Sequence, residues 1–318
     1  MNILHVTNNY PSDKFPIFGI FVKEQIDSLN YIGEENDVFF IDGRSKGKLE
    51  YIKALWRLRK VTLTKNYDII HCHHALSALC LIFSGCFINN KIVVSFQNDP
   101  VHEFGVFLFK FITFFTDGWI FKNNSKFISN EYSFYLPNGV NFDFFKDINQ
   151  AEARKKINLD FDKIYILFVS SNKIRVQKRY DIFTEVLQLL KVKYNYKNIE
   201  EVKIINVERE NIPFYLNAVN LHLLTSDFEG SPNSVKECMA CNTSVVSTDV
   251  GNVKELLSNV KGSYVSTNNS SDELAMLVDK SIKDNICNGR IELAKQKLEI
   301  NQVAEKLVTI YNKVINKK

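Results

Sequence analysis

Two glutamates, Glu229 and Glu237, flank the segment Gly230-Ser231-Pro232-Asn233-Ser234-Val235-Lys236. An apolar, strand-like run from Leu221 to Thr225 precedes them. Ser231 followed by Pro232 reads as a helix N-cap and first helical residue. The stretch is then a strand-to-helix turn, which points unpaired N–H groups and the positive end of the helix dipole at whatever lies above the carboxyl end of a sheet. A phosphate binds readily in such a place. Glu229 falls in the loop before the cap, and Glu237 lies roughly 7–8 Å along the helix axis at ~1.5 Å per residue. Carboxylates so placed suit two hydroxyl-rich moieties on either side of a central diphosphate, a ribose at one end and a hexose at the other. The spacing alone is also that of a capped helix with two solvated glutamates, so the surrounding residues must decide.

A second group carries the opposite charge. After the buried-strand pattern Tyr165 to Val169, the stretch Ser170 to Asp181 holds Lys173, Arg175, Lys178 and Arg179 where a helix begins. Cations at such a point suit a leaving diphosphate whose developing charge must be stabilised. Alone they would read equally well as a solvated charge run.

Taken together, Ser226-x-x-Glu229-Gly230-x-Pro232, then Glu237-x-Met239-Ala240, then Thr248-Asp249-Val250-Gly251-Asn252-Val253-Lys254-Glu255-Leu256 resemble the donor site of family 4 retaining glycosyltransferases of the GT-B fold. The likeness covers nearly the whole chain. It is strongest over residues 204–257 and weakest over 100–135. Pro137-Asn138-Gly139-Val140-Asn141 with Phe144 and Phe145 is similar to the segment that joins the two domains in that family. Strand, Tyr10-Pro11, loop and Gly19-Ile20-Phe21-Val22-Lys23-Glu24-Gln25 are similar to the family's opening, where the glycine faces the donor's diphosphate and sugar.

The resemblance implies an α/β chain of two Rossmann-like domains facing each other across a cleft. The expected boundaries are 1–145 for an acceptor-side domain and 146–302 for a nucleotide-sugar donor domain. A C-terminal helix over 303–318 is expected to pack back on the first domain. The implied reaction moves a hexose from a nucleotide-sugar co-substrate to an acceptor hydroxyl, with retention and with no cofactor or metal. Arg175 and Lys178 would stabilise the departing diphosphate, with Lys173 as the alternative to Arg175. Glu229 would hold the sugar hydroxyls and Glu237 the ribose, and Gly19, Gly230, Ser231, Pro232, Asn233 and Ser234 complete the donor side. The leaving phosphate could itself take the acceptor's proton. An epimerase of the same fold, or a non-catalytic subunit that kept it, are the rival readings.

The acceptor side departs from the family pattern. Where many members read Thr/Ser-x-His-Gly-x-Asp, this chain has Ser95-Phe96-Gln97-Asn98-Asp99-Pro100, so Gln97 stands in the histidine's place, Asn98 replaces the glycine, and Asp99 is the acid of the segment, one position before the family's. His73, with His74 as its alternative, at the end of the strand-like run from Asp68, is the other acceptor-side candidate, because carboxyl ends of parallel strands are where α/β proteins put ligands. Consecutive strand residues point to opposite faces, which argues against a zinc site in His71-Cys72-His73-His74. Cys238 and Cys241 form a C-x-x-C inside a helical pattern, where packing rather than redox chemistry is expected.

The 318 residues suffice for two domains with buried cores, and a net charge of +4 does not indicate a nucleic-acid binder. Six cysteines show no disulfide-framework spacing. No signal-peptide pattern opens the chain and no apolar run reaches the ~18–20 residues of a membrane span, so a cytoplasmic setting is expected. Between Arg44 and Lys65 stand eight basic residues and one acid, interleaved with apolar ones. That segment and the aromatic-rich 104–121 are the candidates for peripheral contact with a membrane and a lipid-linked saccharide acceptor; each also reads as a helix packed on a sheet. Polysaccharide or lipopolysaccharide assembly is the family-level expectation.

Overall fold

The computed structural model describes residues 1–88, 90–124, 127–170 and 174–317. The chain divides into two compact units, one made of Met1–Gly139 with Ile300–Lys318 and the other of Val140–Glu299.

The first unit is built on six strands: β1 (Asn2–Thr7), β2 (Glu35–Phe40), β3 (Ile69–Cys72), β4 (Ile92–Phe96), β5 (Gly118–Phe121) and β6 (Ser133–Tyr135). All pair in parallel, in the order β2-β1-β3-β4-β5-β6. Every residue of β3 and β4 is buried, which is why Ile69-Ile70-His71-Cys72 and Ile92-Val93-Val94-Ser95-Phe96 show no alternation of apolar and charged residues. On one face, Leu4, Val6, Ile70, Val94 and Phe96 pack against Ala54 and Leu58 of the Leu49–Thr64 helix, Ala78 and Leu81 of the Ala75–Phe83 helix, and Ile112 of the Pro100–Phe114 helix. The Ile20–Tyr31 helix packs with the Ile300–Ile315 helix, so the first unit takes in that late segment.

The aromatic segment differs from its sequence reading. Its helix begins at Pro100 rather than Phe104, because the Asp99 carboxylate caps it by accepting from Val101 N and His102 N at 2.8 and 3.1 Å. It is interrupted at Gly105, whose φ of 81° is open to glycine at little cost.

The second unit holds β7 (Ile164–Val169), β8 (Ile199–Ile204), β9 (Leu221–Leu224), β10 (Ser244–Ser247) and β11 (Tyr264–Val265), all parallel, in the order β11-β10-β9-β7-β8. The Tyr180–Val192 and Ser271–Asp284 helices bury Phe183, Val186, Leu190, Leu274 and Val278 against one side. The Asn233–Ala240 helix is approached closely by the Gly289–Lys295 helix, where a Cβ on Gly289 would lie 2.7 Å from Met239 Cα. In each unit the order of strands reverses beside the first strand, between β1 and β3 and between β7 and β9. Open α/β sheets place ligands in the crevice at the carboxyl ends of such strands.

Candidate functional site

The crevice between β7 and β9 is bounded by the segment after Val169 and the segment after Leu224. Several contacts staple these two together. The Thr225 hydroxyl donates to Lys178 O and Arg179 O at 2.7 and 3.0 Å. Asp227 N donates to Gln177 O at 2.8 Å. Arg179, in the left-handed region at φ 46°, forks between Asp181 and Asp227. Lys178 closes the set, with Nζ 2.6 Å from Glu229 Oε1, and the Ser226 hydroxyl donates to the same oxygen at 2.8 Å. The structure thus joins Lys178 to Glu229. Arg175 is exposed at the start of the 3₁₀ turn Val176–Lys178. Lys173 lies outside the described residues.

Glu237 stands on the Asn233–Ala240 helix and receives the Arg209 guanidinium at 3.0 Å. Arg209 comes from the turn after β8 and lies over the rings of Phe144 and Phe145, with centroids at 5.2 and 4.8 Å. Both members of this ion pair are largely buried, at 13% and 14% side-chain exposure. The planar fork of an arginine, held from behind by aromatic faces, fixes a carboxylate's direction better than a lysine could.

The helix start differs from the sequence reading. Pro232, not Ser231, occupies the N-cap at φ −66° and ψ 119°, and no side chain caps the first turn. The reason is that the Ser231 hydroxyl is taken by the ammonium of fully buried Lys236 at 3.1 Å. Ser234, in the first turn, donates its hydroxyl to His222 Nε2 at 3.1 Å, while His222 Nδ1 donates to Leu167 O at 3.0 Å. Burial holds that imidazole neutral, at about 4. Among the described residues no side chain caps the backbone N–H groups at the start of the Asn233–Ala240 helix.

Gly230 is braced from the other side. Asn252 N donates to Gly230 O at 3.2 Å. Gly251, at φ 56°, approaches so closely that a Cβ would lie 2.3 Å from Gly230 O and 2.9 Å from Glu229 O. That glycine is required both by its backbone conformation and by its neighbours.

In the first unit the named residues do structural work. Gly19 has φ 72°, and a Cβ there would sit 2.2 Å from Asn9 C and O. The chain's own backbone is what approaches this glycine so closely. Asp99 caps the Pro100–Phe114 helix, and Gln97 Nε2 donates to His73 O at 3.4 Å. His73 is 1% exposed. The Asn36 amide donates to Asn30 Oδ1 and Glu34 O, so its oxygen accepts from His5 Nε2 at 2.8 Å. His5 Nδ1 must then accept from His73 Nε2 at 2.9 Å, and His73 Nδ1 is buried without a hydrogen-bond partner. His71, opposite His5 in the β1–β3 register, binds the Tyr311 hydroxyl at 2.6 Å and the Ser95 hydroxyl at 2.8 Å. Burial lowers all three imidazoles, His5 to about 4. Their nitrogens lie within 4.8 Å of one another, close enough to share a metal ion. An ion there would have to displace the bonds just described. Lys122, 4% exposed after β5, is pushed down by burial to about 7.

Sequence reasoning named Glu229, Glu237 and Lys178, and it quoted Arg179, Thr225 and Gly251 without foreseeing their contacts; Arg209 it did not single out. The signal at Arg209 is its place as the lone cation within Glu208-Arg209-Glu210, ahead of the Ile212–Ala218 helix.

Residues 149–298 match the family model described as glycosyl transferases group 1. No curated protein matches the chain by sequence. Among solved structures, sucrose-phosphate synthase from Thermosynechococcus elongatus superposes with a TM-score of 0.79 at 14% identity, over 98% of each chain. HepE from Anabaena, in complex with UDP-glucose, gives 0.70 at 13% identity over 98% of this chain and 100% of that one. The lipopolysaccharide outer core galactosyltransferase WaaB in its apo form gives 0.69 at 14% identity over 98% and 99%. The fold is that of the GT-B glycosyltransferases.

Proposed function

We propose that this chain is a group 1 glycosyltransferase, which moves a hexose from a nucleotide-sugar donor to the hydroxyl of a saccharide or lipid-linked saccharide, with retention at the anomeric carbon and without a metal ion. The observation that carries the reading is the pair of fixed carboxylates at the β7–β9 switch point. Glu229 is held by Lys178, Glu237 by Arg209, and an uncapped helix N-terminus lies between them. Glu237 accepts hydrogen bonds from the ribose hydroxyls and Glu229 from those of the hexose. The diphosphate lies on the N–H groups of Asn233 and Ser234 at the Gly230–Ser234 turn, with Lys178 and Arg175 supplying positive charge.

In the chemical step the bond from the anomeric carbon to the phosphate oxygen breaks and the bond to the acceptor oxygen forms on the same face. The acceptor's proton passes to the leaving phosphate. This suits a first unit in which His73 is buried, Asp99 caps a helix and Gln97 binds backbone. None of these is displayed as a free base. The UDP-glucose bound to HepE and the galactosyl transfer named for WaaB lend weight to a hexose donor and to a role in surface polysaccharide or lipopolysaccharide assembly. The same engagement of His73, Asp99 and Gln97 favours, as a second reading, a subunit that binds donor without transfer.

A thermal-shift screen against UDP-, GDP-, ADP- and CMP-sugars in the presence of EDTA tests the donor site. A ligand at a hundredfold excess over its dissociation constant stabilises by about 2.7 kcal/mol, and the shift should shrink in Glu237→Ala. Proton NMR of a transferred sugar then reads the anomeric outcome. No shift with any donor would overturn the site. A shift without hydrolysis or transfer across a broad acceptor panel would leave the binding subunit.

A further inference from the structure

The Leu49–Thr64 helix is apolar on two opposite sides. One line, Ala54 and Leu58, is fully buried against the sheet. The other, Leu49, Ile52, Trp56 and Leu63, recurs at helical spacing on the far side, and its residues are 68, 59, 76 and 77% exposed. Core packing accounts for the first line and leaves the second unexplained. Exposed cations flank it, Lys53 and Lys60 on one edge and Arg59 on the other. The helix's one acid, Glu50, lies on the buried side and is bound by Arg57.

The apolar surface continues onto neighbouring helices. The Ala75–Phe83 helix packs beside this one, and the Thr62 hydroxyl reaches Cys86 Sγ at 3.1 Å in the loop that follows. Phe83, 66% exposed, stacks on Phe111 of the Pro100–Phe114 helix, whose Phe107 and Phe114 are 84 and 81% exposed. Scattered exposed apolar residues are ordinary, whereas a run across three adjacent helices marks an interaction surface. Among the described residues no helix is long and apolar enough to cross a membrane.

We propose that the outward face of the Leu49–Thr64 helix, with Phe83, Phe107 and Phe114, docks on an anionic lipid bilayer. The helix lies in the plane of the headgroups, with Ile52, Trp56 and Leu63 entering the acyl boundary and Lys53, Arg59 and Lys60 on lipid phosphates. Charge complementarity selects this occupant. A tryptophan at mid-stripe, cations on both edges and no exposed acid on the helix are the features of an interfacial helix. A protein partner would need none of that symmetry. The inference rests on the first unit's surface and holds whether or not the donor site is as assigned.

Vesicle flotation tests it, using liposomes of phosphatidylcholine alone and of phosphatidylcholine mixed with phosphatidylglycerol, an anionic lipid of the kind that attracts basic segments. The full chain should bind the anionic vesicles at least tenfold more tightly than the neutral ones, with a blue shift of Trp56 emission, and should be released by salt. The triple variant Ile52→Ser, Trp56→Ser, Leu63→Ser and the variant Lys53→Glu, Arg59→Glu, Lys60→Glu should each lose at least tenfold. Their melting temperatures and any nucleotide-sugar shift should stay as in the parent, which separates this test from that of the donor site. Absence of binding to anionic vesicles, or equal binding by the serine variant, overturns the proposal. Concentration-dependent dimerisation abolished by the serine variant, without vesicle binding, overturns it in favour of a second copy of the chain.

Discussion

Lys178 Nζ lies 2.6 Å from Glu229 Oε1 and so ties the segment after β7 to the segment after β9, across 51 positions of sequence. Each side chain is less than a fifth exposed. In the proposed donor site the ammonium would neutralise a carboxylate that otherwise repels the diphosphate, and the carboxylate would aim the ammonium.

If the two act as one unit, their substitutions are not additive. Lys178→Ala should lower kcat by roughly 10²–10³, as loss of a donor aimed at developing charge does. Glu229→Gln should fall in the same range, and the double variant should lose much less than the product of the two. Steady-state kinetics on all four proteins checks this. Full additivity would mean that the pair is a surface ion pair with no shared role.

Arg209 and Glu237 make a different prediction. Arg209→Ala leaves Glu237 largely buried without its cation, an arrangement that is strongly unfavourable. Donor affinity measured by calorimetry should weaken by roughly 10–100-fold, with a smaller change in kcat than Lys178→Ala gives. Arg209→Lys should restore little, because an ammonium cannot reproduce the guanidinium's stacking on Phe144 and Phe145.

Gly251→Ala should destabilise the second unit by about 1–3 kcal/mol and lower donor affinity as well. The added methyl collides with Gly230 O and Glu229 O, so relief of strain must displace the Glu229 turn. Urea unfolding followed by a donor titration measures both effects. A folded variant with unchanged affinity would show that the turn tolerates the shift.

Stability should fall with acid through the buried histidines. His5 and His222 are lowered by burial from 6.5 to about 4. Between those values the unfolded chain binds protons that the folded chain refuses. The contribution is therefore complete above about pH 6.5 and is lost as pH drops towards 4, by roughly 1.4 kcal/mol per histidine per pH unit. Unfolding midpoints at pH 7.5, 6.0 and 5.0 follow the loss, and His222→Gln should flatten the second unit's share of it.

Much of this molecule can be read from short-range pattern. Buried parallel strands announce themselves as Ile/Val runs, and the turn from Thr225 to Pro232 is marked by its Gly, Ser and Pro. What sequence conceals is pairing at a distance. Ser231 and Pro232 look like a cap and first helical residue, yet the buried ammonium of Lys236 takes the serine hydroxyl and shifts the start to Asn233. The fork of Arg179 on Asp181 and Asp227, and the seat of Arg209 on Glu237, depend on which strands are neighbours and in what register. His71, His73 and His74 are legible as a cluster at the end of β3, but the network needs His5 set against His71 by the β1–β3 register, and Tyr311 brought in from 240 positions away.

Tyr311 also bears on how the chain is made. The first unit includes Ile300–Ile315, and Val140–Glu299 is translated between its two parts. Until that helix emerges from the ribosome, His71 lacks its tyrosine hydroxyl and the Ile20–Tyr31 helix lacks its packing partner. Domains of a nascent chain ordinarily fold in order from the N-terminus. Here the unit that is begun first is finished last, and the second can be complete while the first still waits for its closing helix.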